Sequence, residues 1–395
     1  MTTKYSIFLI VLLFVFPVHS QELILSDKAV VSVLTCGPGS DLYSKFGHTS
    51  FRVQDSEQGI DWIYNYGTFD FNTPNFYSKF ARGKLLYSLS KQRLENFLYT
   101  YELENRWVKE QLLTLSAKEK NELFTFLEIN YLPENRKYKY DFLYDNCSTK
   151  IPDILKEILG KDLQFESYQD TTSYTFRDLI QQNLIGNSWS SFGIDLALGA
   201  VIDKKAEPIQ YMFLPNYVLR QLEHTKLHGE PLVQRERTIL DYNKQNRGNF
   251  FTTSPLFWFG LLCLFTLAIT YIDIRNEVRS KVLDIVLFSV TGIAGCLIFF
   301  LWFLTDHHAT EINLNILWAF PFNLVLVYYL LRNSKTPAWV TTYLLGLLIL
   351  LGITLLIWLL KIQIFSPILA VILATLAIRY SFLLYRAKKL ETTTL

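Results

Sequence analysis

The chain is poor in the residues that usually announce a function. It has four cysteines, six histidines and two methionines in 395 residues. Its formal net charge is only +2, and the lysines and arginines do not gather into a stripe, which excludes a nucleic-acid partner. There is no internal repeat and no low-complexity tract. The glycine-containing stretch "GPGSDLYSKFG" lacks the spacing of a nucleotide-binding fingerprint. No cluster with zinc-ligand spacing occurs in the first 253 residues, so neither a metal nor an organic cofactor is expected.

Long apolar runs, absent from the middle of the chain, dominate its end. From about Ser254 the sequence predicts five segments near the length needed to cross a ~30 Å hydrocarbon core. They lie near 254–272, 282–304, 313–331, 338–360 and 364–385. Arg275, Arg279 and Lys281, then Arg332 and Lys335, and finally Arg386, Lys388 and Lys389 fall in alternate connections, whereas "TDHHATEIN" and "KIQIFS" offer only Lys361. The positive-inside bias puts the basic side, and with it the C-terminus, in the cytoplasm and residues 21–253 outside. At the other end, residues 1–20 have one lysine, an apolar run from Ile7 to Phe16 and Ser20 before Gln21, the pattern of a secretory signal peptide. The expected organisation is therefore a signal peptide at 1–20, an extracytoplasmic domain at 21–253 and a transmembrane bundle at 254–395. That makes the chain a multi-pass membrane protein with an exported N-terminal half.

In the exported part, "AVVSVLT", "TSFRV" and "DWIYNYGTF" read as strands, the last two joined by turn residues as a hairpin. "PNFYSKFARG" reads as a short helix. Apolar spacing predicts a helix within Lys91–Leu115, and Ser116 with Glu119 forms a capping box that opens another through about Leu132. A strand through "KYKYDF" leads to "LYDNCSTKIPDILKEILG". There Ile151, Ile154, Leu155 and Ile158 share a helical face, Pro152 sits in the first turn and Gly160 is the stop. Residues 170–250 read as largely helical. The class is α+β, followed by an all-α bundle.

Cys263 and Cys296 lie within apolar spans, which leaves Cys36 and Cys147 outside the membrane. In an oxidising compartment such a pair can be a disulfide. The alternative is that Cys147, opening a helix, is a nucleophile, since a helix N-terminus and a nearby histidine both favour thiolate. His224 and His228 sit in a polar stretch that reads as a solvated helix end. His48, after Gly47 and before an apolar strand, is the expected base. Its far nitrogen needs an acceptor. The hairpin brings Asn65 alongside, with Asp61 and Tyr64 as further candidates. An oxyanion would be met by the N–H of Cys147 and of the following helix turn, with Asn146 as the nearest side-chain donor. Asp306, His307 and His308 lie in an external connection on the same side, where they either contact a lipid head group or dock the exported domain.

The order of histidine, polar residue and cysteine at a helix start resembles the circularly permuted papain-like enzymes, the NlpC and lecithin:retinol acyltransferase group. More narrowly, "SKFGHTSFRV", "IYNYGTFDF", "YKYDFLYDNCST" and "FLPNYVLRQL", followed by a multi-span tail with "TDHHATEINLNILWAFPFNL", resemble the Bacteroidetes lipoprotein N-acyltransferase family called Lnb. The resemblance implies a papain-like periplasmic domain before a five-helix bundle in a bacterial inner membrane, with a His48–Cys147 dyad. It further implies a membrane phospholipid as acyl donor and the α-amino group of the lipidated N-terminal cysteine of a diacylglyceryl lipoprotein as acceptor. A thiol hydrolase of cell-wall peptides and a non-enzymatic membrane scaffold are the other classes this sequence admits.

Overall fold

A computed structural model describes residues 24–166, 173–242, 250–331 and 338–393. The expected signal peptide lies outside these. The exported part begins with strands β1 (Val30–Cys36), β2 (His48–Asp55) and β3 (Ile60–Thr68), helix α1 (Phe76–Ala81), strand β4 (Leu86–Arg93) and helix α2 (Leu94–Leu103). Strand β5 (Val108–Leu113), helix α3 (Ala117–Tyr131), strand β6 (Lys137–Lys139) and helix α4 (Lys150–Leu159) follow. Next come β7 (Leu163–Phe165), helices α5 (Phe176–Gln181), α6 (Trp189–Ala197) and α7 (Pro215–Glu223), and strands β8 (Thr225–Leu227), β9 (Glu230–Pro231) and β10 (Val233–Leu240).

Seven strands form one antiparallel sheet in the order β10-β5-β1-β2-β3-β4-β6. β2 and β3 make the hairpin that their turn residues predict, with Phe51 opposite Tyr64. Alternation along the strands sends Val31, Val33, Phe51 and Val53 to one face, where Phe124 and Leu127 of α3 and Ile151, Ile154 and Leu155 of α4 cover them. Leu34, Cys36 and Ile63 go to the other face, under Phe97 and Tyr101 of α2. The Ser116–Glu119 capping box is present, and Gly160 ends α4 with φ +58°. The strand before the cysteine is shorter than "KYKYDF" suggests, only Lys137–Lys139.

Two segments of this part depart from their sequence pattern. The helix expected across residues 91–115 is realised only as α2, because Asn105 turns left-handed (φ +51°) and the chain re-enters the sheet as β5 between β10 and β1. Val108 and Leu112 fit a helical face and a strand equally well. The strand wins because it buries Glu110 where Ser32 Oγ (2.6 Å), Arg52 (2.9 Å) and Arg237 (2.6 Å) all reach it. Residues 170–250, expected to be helical, return to strand from Thr225 to Leu240, and β10 covers the free edge of β5.

The membrane part consists of helices α8 (Pro255–Arg275), α9 (Lys281–Phe303), α10 (Asn323–Leu331), α11 (Trp339–Leu359) and α12 (Leu369–Thr393). Four of these, all but α10, are long and apolar enough to cross a bilayer. The continuous span expected over 313–331 is instead a short 3-10 turn at Leu314–Leu317 and the nine-residue α10. Pro321 lacks the N–H that a continuous helix would need. The asparagines ahead of it are used elsewhere: Asn313 donates to the carbonyls of Leu196 and Ala197, and Asn315 to that of Asp195. Gly292 and Gly295 of α9 leave the room this broken segment occupies, since a Cβ on Gly295 would stand 2.0 Å from the Ala319 carbonyl oxygen.

Residues 176–203 are thus a collar between sheet and bundle. Buried Arg177 binds Asp195 (3.0 Å) and Asp203 (2.7 Å), and Asp203 accepts from the N–H of Ile364 at 3.3 Å. The N–H of Gly199 donates to Ala309, and a Cβ there would lie 1.8 Å from the carbonyl oxygen of Glu311. The connections after α9 and before α12 therefore sit on the exported side.

Candidate functional site

His48 opens β2 directly after Gly47, whose φ of +87° and approach to the Cys36 carbonyl oxygen leave no room for a side chain. The imidazole Nε2–H donates to Oδ1 of Asn65 on β3. That contact fixes the tautomer and leaves the other ring nitrogen for the thiol.

Cys147 stands in the turn between β6 and α4, two residues before Thr149, the residue that caps α4. Asn146 builds this turn. Its Oδ1 accepts from the N–H groups of Ser148 (2.7 Å) and Thr149 (3.0 Å), and its Nδ2 donates to the carbonyls of Phe142 (2.6 Å) and Phe213 (2.9 Å). The hydroxyl of Thr49 donates to the Cys147 carbonyl at 2.9 Å, tying the turn to the strand that carries His48. Gly67 on β3 completes the seat. Its φ is +85°, and a Cβ there would touch the Cys147 Cβ at 3.4 Å.

The thiol is partly exposed and hydrogen-bonded to His48. Burial disfavours its thiolate. The charge of the His48 imidazole beside it, their hydrogen bond, the Thr49 N–H and the Ser148 hydroxyl together outweigh burial, and the thiol is drawn down to about 7. His48 is affected reciprocally. Burial lowers its proton affinity, but the neighbouring thiolate and the bonds to Cys147 and Asn65 overcome that and raise it above the ordinary histidine value. The pair is suited to hold a thiolate–imidazolium form near neutral pH, the ground state of a thiol nucleophile.

The structure brings together three of the residues singled out in the sequence: His48, Asn65 and Cys147. The others are placed differently. Asn146 is buried with its amide hydrogens spent on two carbonyls, so it shapes the turn and does not face the thiol. The first amides of the turn, on Ser148 and Thr149, are likewise taken by Asn146, which removes them as oxyanion donors. The Cys147 N–H donates to no acceptor among the described residues. Tyr64 is buried on the α3 face, where its hydroxyl meets Glu128, and Asp61 pairs with Arg52 at 2.8 Å. Neither approaches His48.

Asp306, His307 and His308 dock the exported domain. Asp306 binds Lys139 (2.9 Å) and its N–H donates to the Arg82 carbonyl (2.9 Å). His307 meets the Phe80 carbonyl at 3.2 Å, and His308 bonds to Asp141 at 2.6 Å. Asp141 also accepts the N–H groups of Leu143 and Tyr144, so the membrane connection is anchored to the segment that ends at Cys147.

Nothing in the sequence singles out Thr49, Ser148 or Gly67, which the structure adds to the site. Thr49 follows His48, but neighbours on a strand point to opposite faces, and only the turn wrapping the sheet end lets both meet one cysteine. Of the polar histidines, His228 pairs with Glu119 (2.8 Å) and His224 with the Arg220 carbonyl (2.9 Å), far along the chain from the dyad.

Residues 19–182 match the family model described as the Lnb N-terminal periplasmic domain, and residues 245–390 match the one described as the Lnb transmembrane domain. No curated protein and no solved structure matches the chain.

Proposed function

The chain belongs to the Lnb family, as a multi-pass inner-membrane protein with a periplasmic domain and a function in lipoprotein N-acylation, and from that premise we propose that it is a thiol-dependent acyltransferase acting through Cys147. The acyl chain comes from a membrane phospholipid and goes to the α-amino group of the lipidated N-terminal cysteine of a diacylglyceryl lipoprotein. The observation that carries this is the thiol drawn down to about 7 by a histidine with its own acceptor, in a turn anchored to a membrane connection. We assign the periplasmic domain to residues 21–253 with a permuted papain-like fold, residues 1–20 to a signal peptide and 254–395 to the bundle. The C-terminus is cytoplasmic in this reading, which agrees with the basic residues Arg386, Lys388 and Lys389 at the far end of α12.

The reaction is ping-pong. The Cys147 thiolate attacks an ester carbonyl of the phospholipid, and the N–H of Cys147 faces the oxyanion that forms. The C–O bond breaks, the lysophospholipid oxygen takes the proton held by His48, and the acyl group remains as a thioester. The amine then attacks the thioester carbonyl. The C–S bond breaks, His48 receives the amine proton, and the thiolate is restored beside the imidazolium. Asn65 is a positioning residue that keeps the ring turned toward the sulfur.

Mass spectrometry of a lipoprotein from cells whose own N-acylating enzyme is deleted tests the reading. The wild-type chain restores the third acyl group, whereas Cys147→Ser and His48→Ala leave the diacyl form. N-acylation persisting in both variants overturns the proposal.

A further inference from the structure

Where α9 ends on the exported side, a groove of about 510 Å³ separates it from the loop after α1. One wall is apolar: Phe300, Phe303 and Leu304, the last turn of a membrane-crossing helix. The facing wall carries Arg82 and Lys84. Both are exposed; each feels the charge of Asp306, but neither side chain makes a hydrogen bond or ion pair among the described residues. The carboxylate between them, Asp306, is already held by Lys139 at 2.9 Å. Two cations thus remain in excess beside a surface continuous with the hydrocarbon side of α9. A second cavity of about 150 Å³ adjoins the first at Asp306 and runs inward past Phe80, Leu85, Tyr87 and Tyr140. Tyr87 and Tyr140 stack with centroids 4.2 Å apart, and Tyr140 is a charge neighbour of Cys147. On the outer side Phe71, Tyr77 and Phe80 are exposed, an aromatic lip of the kind that sits at a membrane–water boundary.

The ligand that matches an apolar wall rooted in the bilayer, two unpaired cations at its rim and an aromatic passage beyond is a glycerophospholipid. A peptide would leave the lower wall unmatched, and a neutral lipid would leave the cations unmatched. We propose that this groove binds the phospholipid, with its phosphate between Arg82 and Lys84, one acyl chain against Phe300, Phe303 and Leu304, and the ester turned past Phe80 and Tyr87 toward Cys147. Calling that lipid the acyl donor rests on the acyltransferase reading; its occupancy of the groove does not. Arg82 and Lys84 then set specificity for a phosphate-bearing donor over diacylglycerol.

The test uses the full chain with Cys147→Ser, in nanodiscs of phosphatidylethanolamine and phosphatidylglycerol. They are doped with phosphatidylethanolamine that carries a diazirine in one acyl chain. After irradiation, cross-links mapped by peptide mass spectrometry should concentrate on the segment holding Phe300–Leu304. In an added Arg82→Ala/Lys84→Ala pair they should fall roughly fivefold to tenfold, the scale of losing charge-assisted contacts to a phosphate, while labelling along α11 and α12 stays constant. The exchanged pair Arg82→Lys/Lys84→Arg, which keeps both charges, should restore them, and a diazirine diacylglycerol should show no such concentration. Labelling spread evenly over all membrane helices, or unaffected by the alanine pair, overturns the groove. Acyl transfer is assayed in the same nanodiscs with the wild-type thiol. If no acyl chain moves although the cross-links concentrate as expected, the donor assignment falls with the acyltransferase reading. If transfer proceeds with the cross-links unaffected, only the groove falls.

Discussion

The end of β1 and the turn ahead of α4 each carry a thiol close to the same histidine, and the two thiols have opposite chemistry. Cys36 is directly opposite His48 in the β1–β2 ladder, yet the ring bonds to Cys147. Cys36 is fully buried under α2. Burial pushes its thiol up to about 12, and neither the Tyr101 hydrogen bond nor the nearby Arg106 charge offsets it. Cys147 also suffers from burial, but an imidazole in contact reverses the outcome and leaves it near 7. Proximity to a base does not make a nucleophile of a cysteine; a directed hydrogen bond does, and Asn65 supplies the direction. The two thiols are free rather than joined as a disulfide.

The largest effect that tests this contrast is on turnover. Cys147→Ser should lower acyl transfer by about 10⁴-fold or more, as loss of a covalent nucleophile does, while Cys36→Ala stays within about threefold. A similar collapse in both variants would break the comparison. Next is reactivity. In the full-length protein at pH 7, iodoacetamide should modify Cys147 at least about a hundredfold faster than Cys36, because the thiolate is the reacting form and the lower intrinsic nucleophilicity of a low-pKa thiol offsets only part of its abundance. The pH dependence has a defined sign. Modification of Cys147 should rise with pH through about 7 as the thiolate forms. In His48→Ala the rise should move to higher pH, past the ordinary thiol value of 9.0, because the opposing effect of burial then dominates. Unchanged titration in that variant would remove His48 from the site.

Much of this site was legible before the fold was known, for local reasons. Pro152 in a first turn, Gly160 at the end and four apolar residues on one face mark α4, and so place Cys147 at its entrance. The turn residues between β2 and β3 bring Asn65 near His48. What escaped depends on contacts distant in sequence. Asn146 looked like a donor because it adjoins the cysteine, but its partners include Phe213, 67 residues away. β5 has helix-compatible spacing, and only the convergence of Ser32, Arg52 and Arg237 on Glu110 explains a strand there. The segment 313–331 is apolar enough to span, yet Pro321 interrupts it and Asn313 and Asn315 commit it to the collar, with partners more than a hundred residues upstream. Periodicity reports which face is apolar, and it is silent on what that face meets.

The smaller effects distinguish positioning from chemistry. Asn65→Ala leaves both members of the dyad in place but frees the ring to rotate. Transfer should fall by roughly tenfold to a hundredfold, short of the ~10²–10⁴ that proton transfer itself supplies, and the Cys147 titration should move upward because the imidazole spends less time against the sulfur. Asn65→Asp should retain or recover most of the rate, since a carboxylate accepts the same Nε2–H and favours the imidazolium further. A merely structural Asn65 would give the opposite pattern, with both variants impaired alike and the titration unmoved. Cys36→Ala should have the least effect of all. A thiol held near 12 is neutral at pH 7, so it exerts no charge on its neighbour, and its removal should leave the Cys147 titration at about 7. A downward move of that midpoint in Cys36→Ala would mean that Cys36 carries negative charge at neutral pH. The contrast between the two thiols would then have to be redrawn as a shared proton.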